Sequence, residues 1–285
     1  MAKTVRVITD STCDLPSELI RAEGIGVIAY PVIFGDRIYR DMVDIDRERF
    51  YELLTSSPEL PHTSQPTPGE YFQAIRESLR EADELILLPL SSGLSGAYEN
   101  AVSAVDMLER GERARVSLLN TKAASVGQGL MALEAARMAR SGEPRAAIVK
   151  RLEYFIDHLA SVFTLDTLAY LEKGGRIGKV QAMMGTVLNV KPILQLDEAG
   201  RIVQREKVRG RKQSVQRILE LMGEEGKNLE LQTVGICHAR AAAEAEAAAG
   251  EIRRRFLVKE VIVGEMSATI GTHVGPGCLA FFYLR

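Results

Sequence analysis

Through its first 139 residues the chain alternates between short apolar runs of strand length and longer segments of helical periodicity. Strands are expected at 5–8, 26–34, 85–90 and 115–120, and helices at 16–22, 46–54, 68–81, 96–108 and 127–139. A parallel strand pair needs a crossover of a dozen or more residues, normally a helix, so this alternation predicts a doubly wound parallel sheet covered by helices on both faces. In such a sheet ligands bind beyond the carboxyl ends of the strands. Three polar clusters fall there: Thr9-Asp10-Ser11-Thr12, Thr63-Ser64-Gln65-Pro66 and the Ser91 to Ser95 segment.

The pattern changes near Ser141-Gly142-Glu143-Pro144. A helix opening at Pro144 runs toward His158 with apolar positions at Ile148, Leu152, Phe155 and Leu159. Beyond it, Asp197-Glu198-Ala199-Gly200 separates Ile193-Leu194-Gln195-Leu196 from Ile202-Val203-Gln204, a hairpin signature that implies antiparallel neighbours. A helix over 213–222, a strand over 231–237, an alanine-rich helix over 240–256 and strands near 261–263 and 279–284 complete the chain. The expected architecture is α/β in two domains. Residues 1–155 form a three-layer α/β/α domain with a parallel sheet, and residues 156–285 a two-layer α/β domain with a mixed sheet.

Charge and cysteine content remove several function classes. Among 285 residues, 36 Lys and Arg against 38 Asp and Glu give a formal charge of −2, so no global field draws the chain onto nucleic acid or an anionic membrane. Cys13, Cys237 and Cys278 show no CxxC spacing and no leader precedes them, which suggests buried thiols in a reduced cytoplasmic setting. No apolar run approaches the length of a membrane span. The chain is expected to be soluble.

The most specific local signal is Leu85-Ile86-Leu87-Leu88-Pro89-Leu90-Ser91-Ser92-Gly93-Leu94-Ser95-Gly96-Ala97-Tyr98. A buried strand empties into a turn whose hydroxyls and free N–H groups stand at the start of a helix, an arrangement suited to an anion. Serines in such a turn also serve as plain helix caps. Thr67, Pro68 and Glu70 make a capping box with proline at the first helical position, so Thr67 reads as a cap only. A third polar turn is expected at Ile270-Gly271-Thr272-His273-Val274-Gly275-Pro276-Gly277. Asp10 and Asp14 read as turn formers rather than general bases, and the Met183-Met184 pair as core filler.

The segments Ile8-Thr9-Asp10-Ser11-Thr12-Cys13-Asp14-Leu15-Pro16, Thr63-Ser64-Gln65-Pro66, Ser91-Ser92-Gly93-Leu94-Ser95-Gly96, Leu171-Glu172-Lys173-Gly174-Gly175-Arg176-Ile177 and Asn189-Val190-Lys191-Pro192-Ile193-Leu194 together resemble the DegV family of bacterial fatty-acid-binding proteins. That family includes the lipid-carrying subunits of fatty acid kinase. The resemblance spans essentially the whole chain, with the motifs in family order. It implies a carrier, not an enzyme, that holds a long-chain fatty acid between two domains with no other cofactor or metal. The carrier would present the carboxylate to a separate ATP-dependent kinase subunit, which makes the acyl phosphate. By the same resemblance Thr63, Ser95 and His273 match the carboxylate-binding positions, with Ser64, Ser92 and Gly96 as neighbours.

Elementary chemistry is compatible with that assignment. A carboxylate taken out of water needs several donors, and charge-assisted hydrogen bonds contribute about 1.5–3 kcal/mol each. A tail gains about 0.8 kcal/mol per buried CH₂. Hydroxyls and glycine-turn N–H groups are expected to hold the head without an Arg or Lys clamp, leaving one oxygen nucleophilic. Basic residues Lys173, Arg176, Arg205 and Arg209 read as a kinase-docking face, with Arg205, Lys207 and Arg209 alternating onto one side of a strand. The same face could touch anionic membrane lipids during ligand exchange. Two alternatives compete: a hydrolase with Ser92 or Ser95 as nucleophile and His273 as base, and a nucleotide or sugar-phosphate binder. Gly93-Leu94-Ser95-Gly96-Ala97 lacks the last glycine of a nucleophile elbow, and neither a G-x-G-x-x-G nor a Walker motif is present. A carrier or sensor without a kinase remains a further reading.

Overall fold

The computed structural model describes residues 3–57, 59–183 and 190–285. Met184 and Asn189, which belong to two of the segments read above, lie outside the described residues. The first half runs β1 (Val5–Asp10), α1 (Ser17–Ala22), β2 (Gly26–Ile28), β3 (Pro31–Phe34), β4 (Arg37–Arg40), α2 (Arg47–Ser56), β5 (His62–Thr63), α3 (Pro68–Glu81), β6 (Glu84–Leu88), α4 (Ala97–Asp106), α5 (Arg110–Arg113), β7 (Val116–Leu118), α6 (Ser125–Arg140) and α7 (Arg145–His158). Strands β2-β1-β6-β7 form the parallel sheet in that order. The capping box opens α3 as the spacing predicts, with Thr67 accepting from the Glu70 N–H and the Glu70 carboxylate accepting from the Thr67 N–H.

The second half runs β8 (Leu159–Thr164), α8 (Ala169–Lys173), β9 (Val190–Leu196), β10 (Ile202–Arg209), α9 (Arg211–Glu225), β11 (Thr233–His238), α10 (Ala242–Phe256), β12 (Glu260–Glu265), α11 (Ala268–Val274) and β13 (Leu279–Leu284). Its six-stranded sheet, ordered β10-β9-β8-β13-β11-β12, is antiparallel except for the β11–β12 pair. The fold is thus α/β, with one parallel sheet, one mixed sheet and a small antiparallel sheet, β4-β3-β5.

Alternation along the strands explains how the layers stack. On β13, Leu279, Phe281 and Tyr283 join the core beneath α9 and α10, while Ala280, Phe282 and Leu284 join the core shared with α6. On β6, Leu85 and Leu87 face α3 and α4, and Ile86 and Leu88 face α6. Helix α6 therefore lies between the two sheets, and its buried residues run around most of its circumference, as expected for a helix with no solvent face. Two glycines permit the close approach. A Cβ at Gly129 would stand 2.5 Å from the Cys13 carbonyl oxygen, and one at Gly127 would stand 2.6 Å from the Phe282 ring. All three cysteines are free and buried.

Three expectations need correction. The run 26–34 is two strands in different sheets. β2 ends at Ile28, and β3 starts at Pro31, the first position of a strand, where a missing N–H is tolerated; β3 is the middle strand of the small antiparallel sheet β4-β3-β5. The Gly35-Asp36 turn joins β3 to β4, a strand the sequence reading did not identify. The expected polar turn at 270–277 is helix α11 through Val274, capped by Ser267 and ended by Gly275 at φ 68°. Finally, the register of β10 slips between Gln204 and Glu206, a β-bulge with Arg205 as the extra residue. Among the described residues no helix is long and apolar enough to cross a membrane.

Candidate functional site

A cavity opens where the ends of the parallel strands meet α11 and the α6-side face of the mixed sheet. The space between its lining residues, counted out to the mouth with open solvent included, is about 810 Å³. Polar side chains gather at one end. Thr63 Oγ1 lies 2.9 Å from His273 Nε2, and Tyr30 Oη lies 3.3 Å from Ser95 Oγ. Arg176 lines the same end, where its Nε donates to the Leu94 carbonyl and its Nη1 to the Gly174 carbonyl. The remaining walls are largely apolar, supplied by Phe163, Leu196, Ile202, Ala280 and Phe282 from the sheet and by Ile270 and Val274 from α11.

Buried aspartates fix the helix that carries His273. Asp41 accepts from the Ala268 and Thr269 N–H groups and from Thr269 Oγ1, and Asp14 accepts from the Ser267 N–H and Ser125 Oγ. Two carboxylates thereby satisfy the orphan donors at the start of α11, where the helix dipole favours negative charge. Burial raises both; Asp14 is pushed up to about 6, opposed chiefly by its bond from Ser125. Asp10 binds the Thr12 and Leu90 N–H groups, tying β1 to the Ser91–Ser95 loop. These aspartates are turn formers, and they are also wholly buried.

His273 is held neutral. Burial, with the Arg176 guanidinium as a second cause, lowers it to about 4. Its Nδ1 is buried with no hydrogen-bond partner among the described residues, and it faces Gly174, where a Cβ would stand only 2.2 Å away. The imidazole thus occupies the space of an absent side chain. It offers the cavity a neutral ring already bonded to a hydroxyl, not a cation.

The residues singled out from sequence separate into two groups. Thr63, Ser95 and His273 converge at the polar end. Gly96 stands at the N-cap of α4 beside Gln65, whose Nε2 a Cβ there would approach to 3.1 Å. Ser64 is exposed, and Ser92 Oγ is taken by Asn120 Nδ2 at 2.6 Å; neither lines the cavity. Ser91 braces the loop instead, donating to the Gly200 carbonyl across to the β9–β10 turn. Arg176, read as a docking residue, lies in the cavity wall, with its Nε and Nη1 engaged by the Leu94 and Gly174 carbonyls.

Lys173 and Arg209 are exposed. Arg205 is not on their surface: its guanidinium bonds Gln195 and Glu225 on the α9 side. The bulge removes the expected alternation, since Glu206 reaches Arg217 of α9 and Val208 packs beneath that helix, leaving Lys207 and Arg209 on the other face. Tyr30, Gln65 and Arg176 escaped the sequence reading as cavity residues. The one available signal was Tyr30, an aromatic placed directly before a strand-breaking proline. Among the described residues no His, Cys, Asp and Glu cluster could hold a metal.

Comparison with known proteins identifies this arrangement. A DegV family protein from Thermus thermophilus, described as binding fatty acid, superposes with a TM-score of 0.91 at 32% identity, covering 99% of this chain and 100% of its own. DegV from Bacillus subtilis, described as a fatty acid binding protein, gives 0.88 at 32% identity over 99% and 100%. A stearic acid-binding protein from Eubacterium ventriosum gives 0.88 at 25% identity over 99% and 98%. The family model described as "Uncharacterised protein, DegV family" matches residues 4–285. With the match running the length of the chain through both sheets and every segment of the cavity, the chain belongs to the DegV family.

Proposed function

We propose that this chain binds one long-chain fatty acid in the cavity between its two sheets. In this reading its domains, 1–155 and 156–285, enclose the ligand. The carrying observation is the cavity's polarity: hydroxyls, a neutral imidazole and one guanidinium at one end, and largely apolar strand faces beyond. The fatty acids bound by the Thermus, Bacillus and Eubacterium proteins support the same ligand class here. Thr63, Ser95 and Arg176 donate to the carboxylate, and His273, positioned by Thr63, Gly174 and the α11 clamp, completes the head site. Ser64, Ser92 and Gly96 shape the two loops that carry these groups. Burying about sixteen carbons offers on the order of 12 kcal/mol gross before ordering costs, so the tail sets affinity and the head sets register.

The chain then presents the carboxylate to an ATP-dependent kinase on another polypeptide. The acid itself is the nucleophile: one carboxylate oxygen attacks the γ-phosphorus, ADP leaves, and an acyl phosphate results. Lys173, Lys207 and Arg209 supply exposed cations for docking, where rim charge acts mainly on association rate. Transient contact with a membrane surface would serve ligand exchange. The hydrolase alternative is disfavoured because the hydroxyl bonded to His273 is that of Thr63, and Nδ1 has no acidic partner to orient it. Calorimetric titration with oleate, followed by ATP and a DegV-partner kinase, tests both halves. One-to-one binding and acyl phosphate formation are expected. Binding without phosphate transfer would leave a carrier or sensor, and no binding would overturn the reading.

A further inference from the structure

One polar side chain on the apolar part of the cavity has no role in the site described above. Ser161 on β8 is 5% exposed and lines the cavity beside Phe282, its antiparallel partner on β13. Side chains on β8 alternate, so Ser161 and Phe163 share the α6 face while Ala160 and Val162 enter the core beneath α9 and α10. Thr164, the other hydroxyl of this strand, is bonded to Ser214 Oγ, whereas Ser161 lines the cavity. Its neighbour Phe282 is pinned: Cβ atoms at Gly127 and Gly235 would come within 2.6 and 3.3 Å of its ring.

The position along the cavity follows from the strands. Cys278, Ala280 and Phe282 line it in succession, and at about 3.4 Å per residue Phe282 stands roughly 14 Å beyond Cys278. Cys278 follows closely on α11, which carries His273, so Ser161 faces the distal part of any ligand whose carboxylate sits with His273. Ser161 and Leu196 also line a second cleft, bounded by Lys122, Asp157, Asp197 and Arg285. At this depth the cavity wall is therefore a hydroxyl with a polar cleft behind it.

We propose that Ser161 is a specificity-determining residue for the tail, and that it selects long-chain acids carrying a hydroxyl on their distal half. The inference rests on the fatty acid reading of the cavity. A plain hydrocarbon tail strips water from the Ser161 hydroxyl and returns nothing, which is the unfavourable case for a buried donor; a tail hydroxyl at the same depth restores the bond.

Full-length protein, freed of lipid, would be titrated with stearic acid and with hydroxystearic acids whose hydroxyl is moved along the distal half. Wild type should favour one hydroxyl position. Ser161→Ala should lose that preference by about fivefold or more, while binding stearic acid as tightly as wild type or more tightly. Ser161→Thr, which keeps the hydroxyl, should retain the preference. Equal losses for stearic and hydroxystearic acids in Ser161→Ala, or no favoured hydroxyl position in wild type, would overturn this inference and leave the carrier reading intact. Failure of every acid to bind would overturn both.

Discussion

Substituting Gly174 by alanine tests how the head site is built, because the perturbation is one methyl group whose closest contact is the His273 ring. Gly174 caps α8 at φ −77° and ψ −5°, a conformation alanine adopts freely, so backbone strain plays no part. The new Cβ would stand 2.2 Å from His273 Nδ1, 3.1 Å from its Cε1 and 3.0 Å from the Tyr170 carbonyl oxygen. Ordinary contact begins at 3.4 Å, so the ring must retreat by about 1.2 Å, the difference between 3.4 and 2.2 Å. A bond of 2.9 Å from Nε2 to Thr63 does not survive such a shift without reorientation. If His273 and Thr63 order the carboxylate, losing one charge-assisted bond weakens fatty acid binding by about 1.5–3 kcal/mol, or roughly 10- to 150-fold. Overpacking costs about 1–3 kcal/mol of stability, partly offset by the 0.4–1 kcal/mol that alanine gains over glycine in the unfolded chain. Calorimetry with oleate reads the first quantity and chemical denaturation the second. Gly250→Ala on α10, where a Cβ meets nothing within 4 Å, is the control. Unchanged oleate affinity in Gly174→Ala, with an unchanged His273 titration by NMR, would refute this account of the head site.

Protonation gives a second test. Folding lowers His273 to about 4, so the unfolded chain binds the extra proton between pH 6.5 and 4 and stability falls as pH drops through that window, by up to about 3 kcal/mol. Asp14 acts oppositely: its folded value of about 6 lies above 3.8, so its contribution is present in acid and lost as pH rises toward and through 6. Relative to wild type, His273→Gln should therefore gain stability on acidification from pH 6.5 to 4, and parallel denaturation profiles would contradict the assignment. Asp41→Asn turns an amide donor toward the Ala268 or Thr269 N–H and should lower stability by about 1–3 kcal/mol while weakening oleate binding; unaltered binding would mean α11 is held by other contacts. The double variant Lys207→Glu, Arg209→Glu should keep oleate affinity and slow kinase-dependent acyl phosphate formation, most strongly at low salt. Equal rates across ionic strength would show that pair to be ordinary solvated surface.

What could be read in advance follows from which interactions are local. The parallel sheet was legible because each βα step carries its own periodicity, and the α3 capping box because Thr67 and Glu70 are three residues apart. The β9–β10 hairpin was legible because the Asp197–Gly200 turn declares it. The place of Arg176 in the cavity wall was not legible for the opposite reason: a basic residue in a glycine-rich segment looks exposed until the fold brings Leu94, 82 positions away, against its guanidinium. The bulge at Arg205 leaves no mark in composition, yet it reverses which face each following cation takes. Helix α11 was hidden because Ser267 and the buried acceptors Asp14 and Asp41, supplied from more than 220 residues earlier, cap a segment whose glycines otherwise suggest a turn.

The central claim, that the cavity between the sheets is the seat of a long-chain fatty acid, is tested most directly by denaturing the purified protein and identifying what is released. Lipid extraction and mass spectrometry should recover one long-chain acid per chain, and adding free fatty acid to stripped protein should raise its melting temperature by mass action on the folded state. No acyl chain in the extract, together with no thermal shift on adding oleate or stearate, would contradict the account.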